Sequence, residues 1–206
     1  MASITRGSPQ TGNRRVDTAE QVLDAVERLL AAGEVYTELG VQRIAREAGI
    51  ARSSFYMHFP DKTQLLLTLA RRVSVGAFDA HAAWEPDADD ALERMVEGFE
   101  VIVAHYRRHA PVLSAVLEVS GYDRDVAEFW GRQLDAFRGR MQGWLRAEQE
   151  AGRTASGLDT ESAVRVVVDG GMRTIADQVA NGHPSDDARI AGEMARVWWY
   201  GVFRRP

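Results

Sequence analysis

Apolar positions recur along this chain at helical spacing, and no segment alternates long enough at a period of two to predict a strand. Val22, Leu23, Val26, Leu29 and Leu30 make one stripe that Gly33 stops. Asp17 and Thr18 are its cap candidates, each with Glu20 or Gln21 three residues on. Val41, Ile44, Ala45 and Ala48 form the inner face of a short second helix closed by Gly49. A third short helix is expected from about Arg52 to His58. Pro60 and Asp61 open a fourth, with Asp61 as N-cap and Leu65, Leu66, Leu69 and Val73 inside.

Beyond residue 76 the predicted helices lengthen. WEPDAD reads as a turn into a helix with Met95, Phe99, Ile102, Val103 and Tyr106 on one face, and Pro111 can open the next, whose inner positions are Leu113, Val116 and Leu117. From Asp125 to about Glu150 the series Val126, Phe129, Trp130, Leu134, Phe137, Met141, Trp144, Leu145 holds the strongest periodicity in the chain. AGRTASGLD is a loop, and two last helices follow, carrying Val164, Val168, Ile175, Val179 and then Ile190, Met194, Val197, Trp198, Gly201, with NGHPSDD between them. The fold class is therefore all-α, with about nine helices and no internal repeat.

Composition narrows the choice. With 206 residues, 45% hydrophobic and 27% charged, the chain can bury one large core or two modest ones. No apolar run approaches the roughly 20 residues of a membrane-spanning helix, and the first fifteen residues lack the apolar stretch of a secretory signal, so a cytoplasmic protein with no membrane partner is expected. Zero cysteines exclude disulfides, thiol catalysis and thiolate metal sites. Residues 1–15, rich in Ser, Thr, Gly, Arg and Pro without a period, read as a disordered arm. The net charge of −5 is unevenly spread: residues 1–75 hold 10 Arg and Lys against 8 Asp and Glu, and the remainder 15 against 22. A locally positive front third suits a phosphate backbone.

The chemistry concentrates in one stretch. Two short helices joined by a glycine turn present the second at the surface while the first braces it. Ile44, Ala45, Gly49, Ile50 and Phe55 supply the packing rhythm of a helix-turn-helix, which leaves Arg52, Ser53, Ser54, Tyr56, Met57 and His58 around the outer faces. Short hydroxyls allow close approach to a major groove. Arg52 can reach phosphate or a guanine edge, Met57 a thymine methyl, and Tyr56 and His58 phosphates. Arg43 on the bracing helix joins the DNA-binding candidates, as does Lys62, the only lysine, in the first turn of the fourth helix where free N–H groups add to its pull on a phosphate.

These residues carry a resemblance. VQRIAREAGIARSSFYMHFPDKTQLL, and residues 17–66 more broadly, resemble the DNA-binding domain of TetR-family transcriptional regulators. The resemblance implies an all-α homodimer with residues 52–58 as recognition helix and Tyr56, His58 and Lys62 at phosphate-contacting positions. Two departures stand out: Ala51 and Gly40 occupy places where the family usually has a hydroxyl cap, at a cost of about 1 kcal/mol and a few tenths respectively. Domains are accordingly expected at 1–15 (arm), 16–60 (helix-turn-helix) and 61–206 (helical ligand-binding and dimerisation domain).

The larger half carries more aromatic residues than simple packing asks for, Trp84, Phe99, Tyr106, Phe129, Trp130, Phe137, Trp144, Trp198 and Trp199 among them, which is suggestive of a cavity wall. Gly98, Gly131, Gly139, Gly143, Gly170 and Gly171 inside predicted helices leave room for a ligand or let helices approach. DVAEFWGRQLDAF and ARVWWYGVF resemble the ethionamide-resistance repressor branch of the family, whose members have a long aromatic tunnel. Carried over by position, that resemblance places Met95, Phe99, Ile102, Tyr106, Leu113, Leu117, Trp130, Leu134, Phe137, Met141 and Trp198 around a ligand site. The carboxamides of that branch have no counterpart, because Val168 and Gly171 stand there. An uncharged, largely apolar small molecule is the expected ligand, and the last two helices the expected dimer interface, with Gly170 and Gly171 either a close-approach point or a border of the pocket.

Enzymatic readings are weaker. His105 and His109 have the spacing of a metal pair, but no third ligand or zinc-protease glutamate accompanies them, and no phosphate loop, nucleophile elbow or carboxylate pair occurs. No catalytic residue, metal or cofactor is expected. The sequence thus predicts a dimeric DNA-binding regulator, most simply a repressor released from a near-palindromic operator by a small apolar or aromatic ligand. The alternative is a helical small-molecule-binding protein that never touches DNA, which would have no need of Arg52, Ser53, Tyr56, His58 and Lys62 together.

Overall fold

The computed structural model describes residues 10–74 and 84–205, with side chains from Thr18 onward. Among the described residues there are nine α-helices and no strand. They fall into two compact units, Met1–Leu69 and Ala70–Pro206.

The first unit holds α1 (Gln10–Ala31), α2 (Val41–Glu47), α3 (Arg52–His58) and the start of α4 (Lys62–Ser74). Helix α1 begins earlier than the sequence predicts. Asp17 and Thr18 lie inside it, not at its cap, and residues 10–15 of the expected arm are helical, while residues 1–9 of that arm lie outside the described residues. The physical reason is local: no proline follows Pro9 before Gly33, so nothing in Gln10–Arg15 blocks extension of a helix whose next three turns are apolar on one side. The stripe Val22, Leu23, Val26, Leu29, Leu30 is buried as its spacing requires, together with Ile44, Ala45, Phe55, Phe59, Leu65 and Leu66.

Gly49 is what joins α2 to α3. Its φ of 70° lets the Ile50 N–H turn back to the Ala45 carbonyl at 3.0 Å while the Gly49 N–H reaches the Arg46 carbonyl at 3.2 Å, so two carbonyls at the end of α2 are satisfied within the turn. Ala51 and Gly40, the N-caps of α3 and α2, accept no side-chain cap bond. At α4 the expected cap is present, the Gln64 N–H donating to Asp61 Oδ1 at 2.8 Å.

The second unit contains α5 (Ala91–Arg108), α6 (Ala110–Ser120), α7 (Arg124–Glu150), α8 (Thr160–Asn181) and α9 (Asp187–Trp198), extended by a π-helical turn at Trp199–Phe203. Asp123 and Asp159 cap α7 and α8 by accepting two backbone N–H bonds each. Helix α5 packs along α9, and α8 lies against α5, α6 and α7. Five positions of the expected apolar stripes in this unit are not buried, Trp144 and Ile190 being half-buried. Leu117 is half-buried, and Val197 and Gly201 are exposed, because Val197 stands about 100° around α9 from the buried Trp198 and belongs to the outer face.

Two charged clasps fix the ends of this unit. The Arg107 guanidinium donates to Asp187 and to the carbonyls of Gln178, Val179 and Gly182, holding the α8–α9 corner to α5. Its hydrogen bonds hold the Asp187 carboxyl below the ordinary aspartate range. Glu148, 1% exposed, receives Arg153 and Arg204, each at 2.6 Å. Burial alone pushes that carboxyl up, but the two guanidiniums outweigh it and hold it below its usual value. Arg204 also lies over the Trp199 ring at 4.2 Å and donates to the Pro86 carbonyl, which ties the residue following the π-helical turn to the segment before α5.

Candidate DNA interface and ligand cavity

Helix α3 is held by one residue and exposed by the rest. Phe55 is fully buried and makes ring contacts with Tyr56 and Phe59 at 5.4 and 5.7 Å. Around it Arg52, Ser53, Tyr56 and Met57 are exposed, Met57 to 64%, and Ser54 and His58 are half-buried. The structure therefore brings all six α3 candidates onto one short helix. Arg52 is steadied by its neighbour one turn on, its guanidinium 5.7 Å from the Tyr56 ring centre and 3.4 Å from the Tyr56 hydroxyl. An arginine held this way keeps less rotamer freedom to lose when it binds.

Arg43 and Lys62 are placed differently from the α3 residues. Arg43 donates to Glu34 at 2.8 Å and to Glu47 at 3.0 Å, and Arg28 reaches the other Glu47 oxygen at 3.4 Å. The Glu47 carboxyl is held below its ordinary range by the Arg43 hydrogen bond first and the Arg28 bond second. Helix α2 also carries Arg46, exposed and three residues on from Arg43, which the sequence reading passed over. The sequence gives Arg43 a partner at helical spacing in Glu47; the folded position of Glu34 adds the second acid that Arg46 lacks.

Lys62 is a clasp. Its ammonium donates to the carbonyls of Tyr36 and Thr37 at 2.8 and 3.1 Å and lies 5.0 Å from the Tyr36 ring centre, while the Tyr36 hydroxyl donates to the Lys62 carbonyl at 2.5 Å. Burial pushes its pKa down. The lysine thus joins the first turn of α4 to the loop between α1 and α2.

In the second unit Phe99, Ile102, Leu134, Phe137 and Trp198, all expected at a ligand site, surround one interior cavity with Val168, Gly171, Met172 and Ile175 of α8. Its volume is about 20 Å³, room for a single water. The aromatic rings fill the space themselves: Phe99 meets Trp198 edge-on at 4.8 Å, and Phe137 lies 6.2 Å from the same indole. Met95, Tyr106, Leu113, Trp130 and Met141 are buried but do not line this cavity, and Leu117 is half-buried away from it. Burial pushes the Tyr106 phenol up, so it stays neutral throughout the physiological range. The contribution of α8 was signalled in sequence by Val168 and Ile175 of its apolar stripe, which periodicity marks as inward without marking them as cavity lining.

On the outer side of the same helices an apolar groove of about 310 Å³ runs between α8 and α9, lined by Val166, Gly170, Gly171, Met194, Val197 and Trp198 among others. Val166, Val197 and the following Tyr200 are 71%, 62% and 60% exposed. This is an uncovered hydrophobic surface of the kind that marks an association site.

His105 and His109 stand with ring centres 5.1 Å apart, and His105 Nε2 lies 2.6 Å from the Val73 carbonyl oxygen. Among the described residues no group of three or more metal-ligating side chains occurs, and no helix is long and apolar enough to cross a membrane.

Comparison with known proteins agrees with this layout. Residues 22–69 match the family model of bacterial regulatory proteins, tetR family. The HTH-type transcriptional regulator EthR of Mycobacterium tuberculosis is 27% identical over 98% of this chain and 95% of its own length. Among solved structures, the transcriptional regulator FadR of Bacillus subtilis in complex with stearoyl-CoA superposes with a TM-score of 0.70 at 19% identity, covering 89% of this chain and 98% of its own. A transcriptional regulator from Saccharomonospora viridis in complex with choline superposes with a TM-score of 0.67 at 20% identity, covering 91% and 98%.

Proposed function

The chain is a TetR-family transcriptional regulator, and on that premise we propose that it is a homodimeric repressor that leaves its operator when a small apolar molecule enters the second unit. The observation that carries the DNA-binding part is the α3 surface: Arg52, Ser53, Tyr56 and Met57 exposed together on a helix anchored by Phe55. Such a surface offers a guanidinium for a guanine edge or phosphate, hydroxyls for phosphate and a thioether for a thymine methyl. Arg46 joins the candidates for backbone contact. Arg43 reaches DNA only by giving up Glu34 and Glu47, and Lys62 by giving up the carbonyls of Tyr36 and Thr37.

The uncovered α8–α9 face supports dimerisation through the last two helices, which gives two recognition helices and a near-palindromic operator with half-sites roughly 34 Å apart. The cavity lining is uncharged, which favours an uncharged, largely apolar ligand. Relatives bind molecules as unlike as stearoyl-CoA and choline, so the class of ligand here rests on this lining alone. Because the cavity holds only a water, a ligand must open it. A thousandfold loss of operator affinity then requires about 4 kcal/mol of coupling between the two sites. We assign the protein no catalysis and a cytoplasmic place of action.

A gel-shift titration against fragments of the gene's own upstream intergenic DNA, at two salt concentrations with competitor present, tests the reading. Saturable shifting that resists competitor is expected, with affinity falling steeply between the two salts. No shift on these fragments, and none on a library of fragments covering the rest of the genome, would favour a helical ligand-binding protein that does not use DNA.

A further inference from the structure

The outer surface of α3 is not uniform. At about 100° per residue, Ser53 and Met57 each stand about 160° around the helix from the buried Phe55, so these two point away from the core. Arg52 and Tyr56 lie on one flank, about 60° and 100° from Phe55, and His58 and Ser54 lie on the other at about the same angles. Exposure follows this arrangement. Met57 is 64% exposed and Tyr56 45%, while Ser54 and His58 are half-buried, the His58 ring centre 6.5 Å from that of Phe59. Arg52 leans along its own flank: its guanidinium lies 5.7 Å from the Tyr56 ring centre, with Nη2 3.4 Å from the phenol oxygen.

We infer that α3 divides its work between two stripes: Arg52 and Tyr56 together clamp a backbone phosphate, and Met57, with Ser53 keeping the approach close, reads a thymine methyl in each half-site. This rests on the proposed DNA-binding reading of the helix and assigns the two stripes separate parts within it. The phenol that accepts from Arg52 still has its own proton to give, so a guanidinium and a hydroxyl donor stand side by side on the flank. Two adjacent donors, one of them charged, match two oxygens of one phosphate. The outward stripe offers something else. Neither Ser53 nor Met57 carries a charge or a bidentate donor, so what meets a base edge is a thioether and its terminal methyl beside a small hydroxyl. The only arginine of α3 is thereby taken out of base readout. It sets affinity and register on every sequence alike, and discrimination falls to an apolar contact.

Selection of bound duplexes from a random library tests this without a known operator, using the full-length wild type, Arg52→Ala and Met57→Ala. Both side chains are exposed, and an unchanged melting temperature shows that each variant is folded. The wild type is expected to select an inverted repeat with a thymine in each half. Arg52→Ala should select the same repeat, bind every sequence more weakly, and flatten the slope of log affinity against log salt by about 0.9 for each guanidinium lost. Met57→Ala should keep the wild-type salt slope and lose the preference for one thymine in each half. Replacing that thymine by deoxyuridine in the selected duplex removes only the methyl. It should weaken the wild type about fourfold per half-site, the worth of one buried methyl, and leave Met57→Ala unaffected. A base preference lost with Arg52→Ala, or a salt slope that Arg52→Ala leaves unchanged, overturns the clamp. If no thymine gives a uracil penalty that Met57→Ala abolishes, the methyl reading is wrong. A wild type that selects no consensus at all removes the DNA-binding reading on which both rest.

Discussion

The surface of α3 and the interior between α5, α7, α8 and α9 solve opposite problems. The first must keep polar groups exposed and ready for a ligand that is large, charged and hydrated; the second must keep apolar groups covered until a small ligand replaces them. On α3 one buried residue, Phe55, anchors a helix whose other side chains are half or fully exposed, so little of the fold depends on them. Around the cavity every expected lining residue is also core. Function and stability are separable in the first region and entangled in the second.

Substitutions can break that contrast if it is wrong. Phe137→Ala should produce the largest effect, a loss of about 3 kcal/mol in stability seen as a lower urea midpoint, because a buried ring is removed beside Trp198. A Phe137→Ala protein as stable as the wild type would mean that the cavity wall is not core. Arg52→Ala should cost about 2 kcal/mol of operator affinity and leave the melting temperature unchanged; a matching fall in melting temperature would erase the difference between the regions. Tyr56→Phe is expected to cost about 1 kcal/mol of binding, equally on specific and competitor DNA, if its hydroxyl meets phosphate. The smallest effect sharpens the comparison from the other side. Ala51→Ser supplies the cap that α3 lacks and should stabilise the first unit by about 0.5–1 kcal/mol, measured by thermal denaturation.

The same contrast explains what could be read in advance. Recognition of α3 needed only local signals: Gly49 at the turn, Phe55 inside, Asp61 capping the next helix. Each acts within a few residues of its own position, and each is found where the chain's pattern puts it. Periodicity also identified the buried side of α7, because Phe129, Trp130, Leu134, Phe137 and Met141 repeat at helical spacing whatever they pack against. What it could not tell was which of these border a void. Trp130 and Leu134 occupy the same stripe, yet only Leu134 lines the cavity, a distinction set by packing across four helices. Arg43 and Arg46 differ in part for a similar reason: Glu47 lies four residues on from Arg43 along the helix, but Glu34 is brought to it only by folding. Val197 was counted in the apolar stripe of α9 with Met194 and Trp198, but it stands on the outer face of that helix. The start of α1 was missed because caps are optional signals, and Asp17 and Thr18 are also tolerated inside a helix.

Lys62 carries the only ε-amine in the chain. A lysine-specific protease therefore has a single place to cut, at the first residue of α4, where the Tyr36 clasp holds both the ammonium and the carbonyl that the protease must engage. The rate of that one cleavage is a clock for how often the clasp opens, and it runs without labels, mutations or knowledge of the operator.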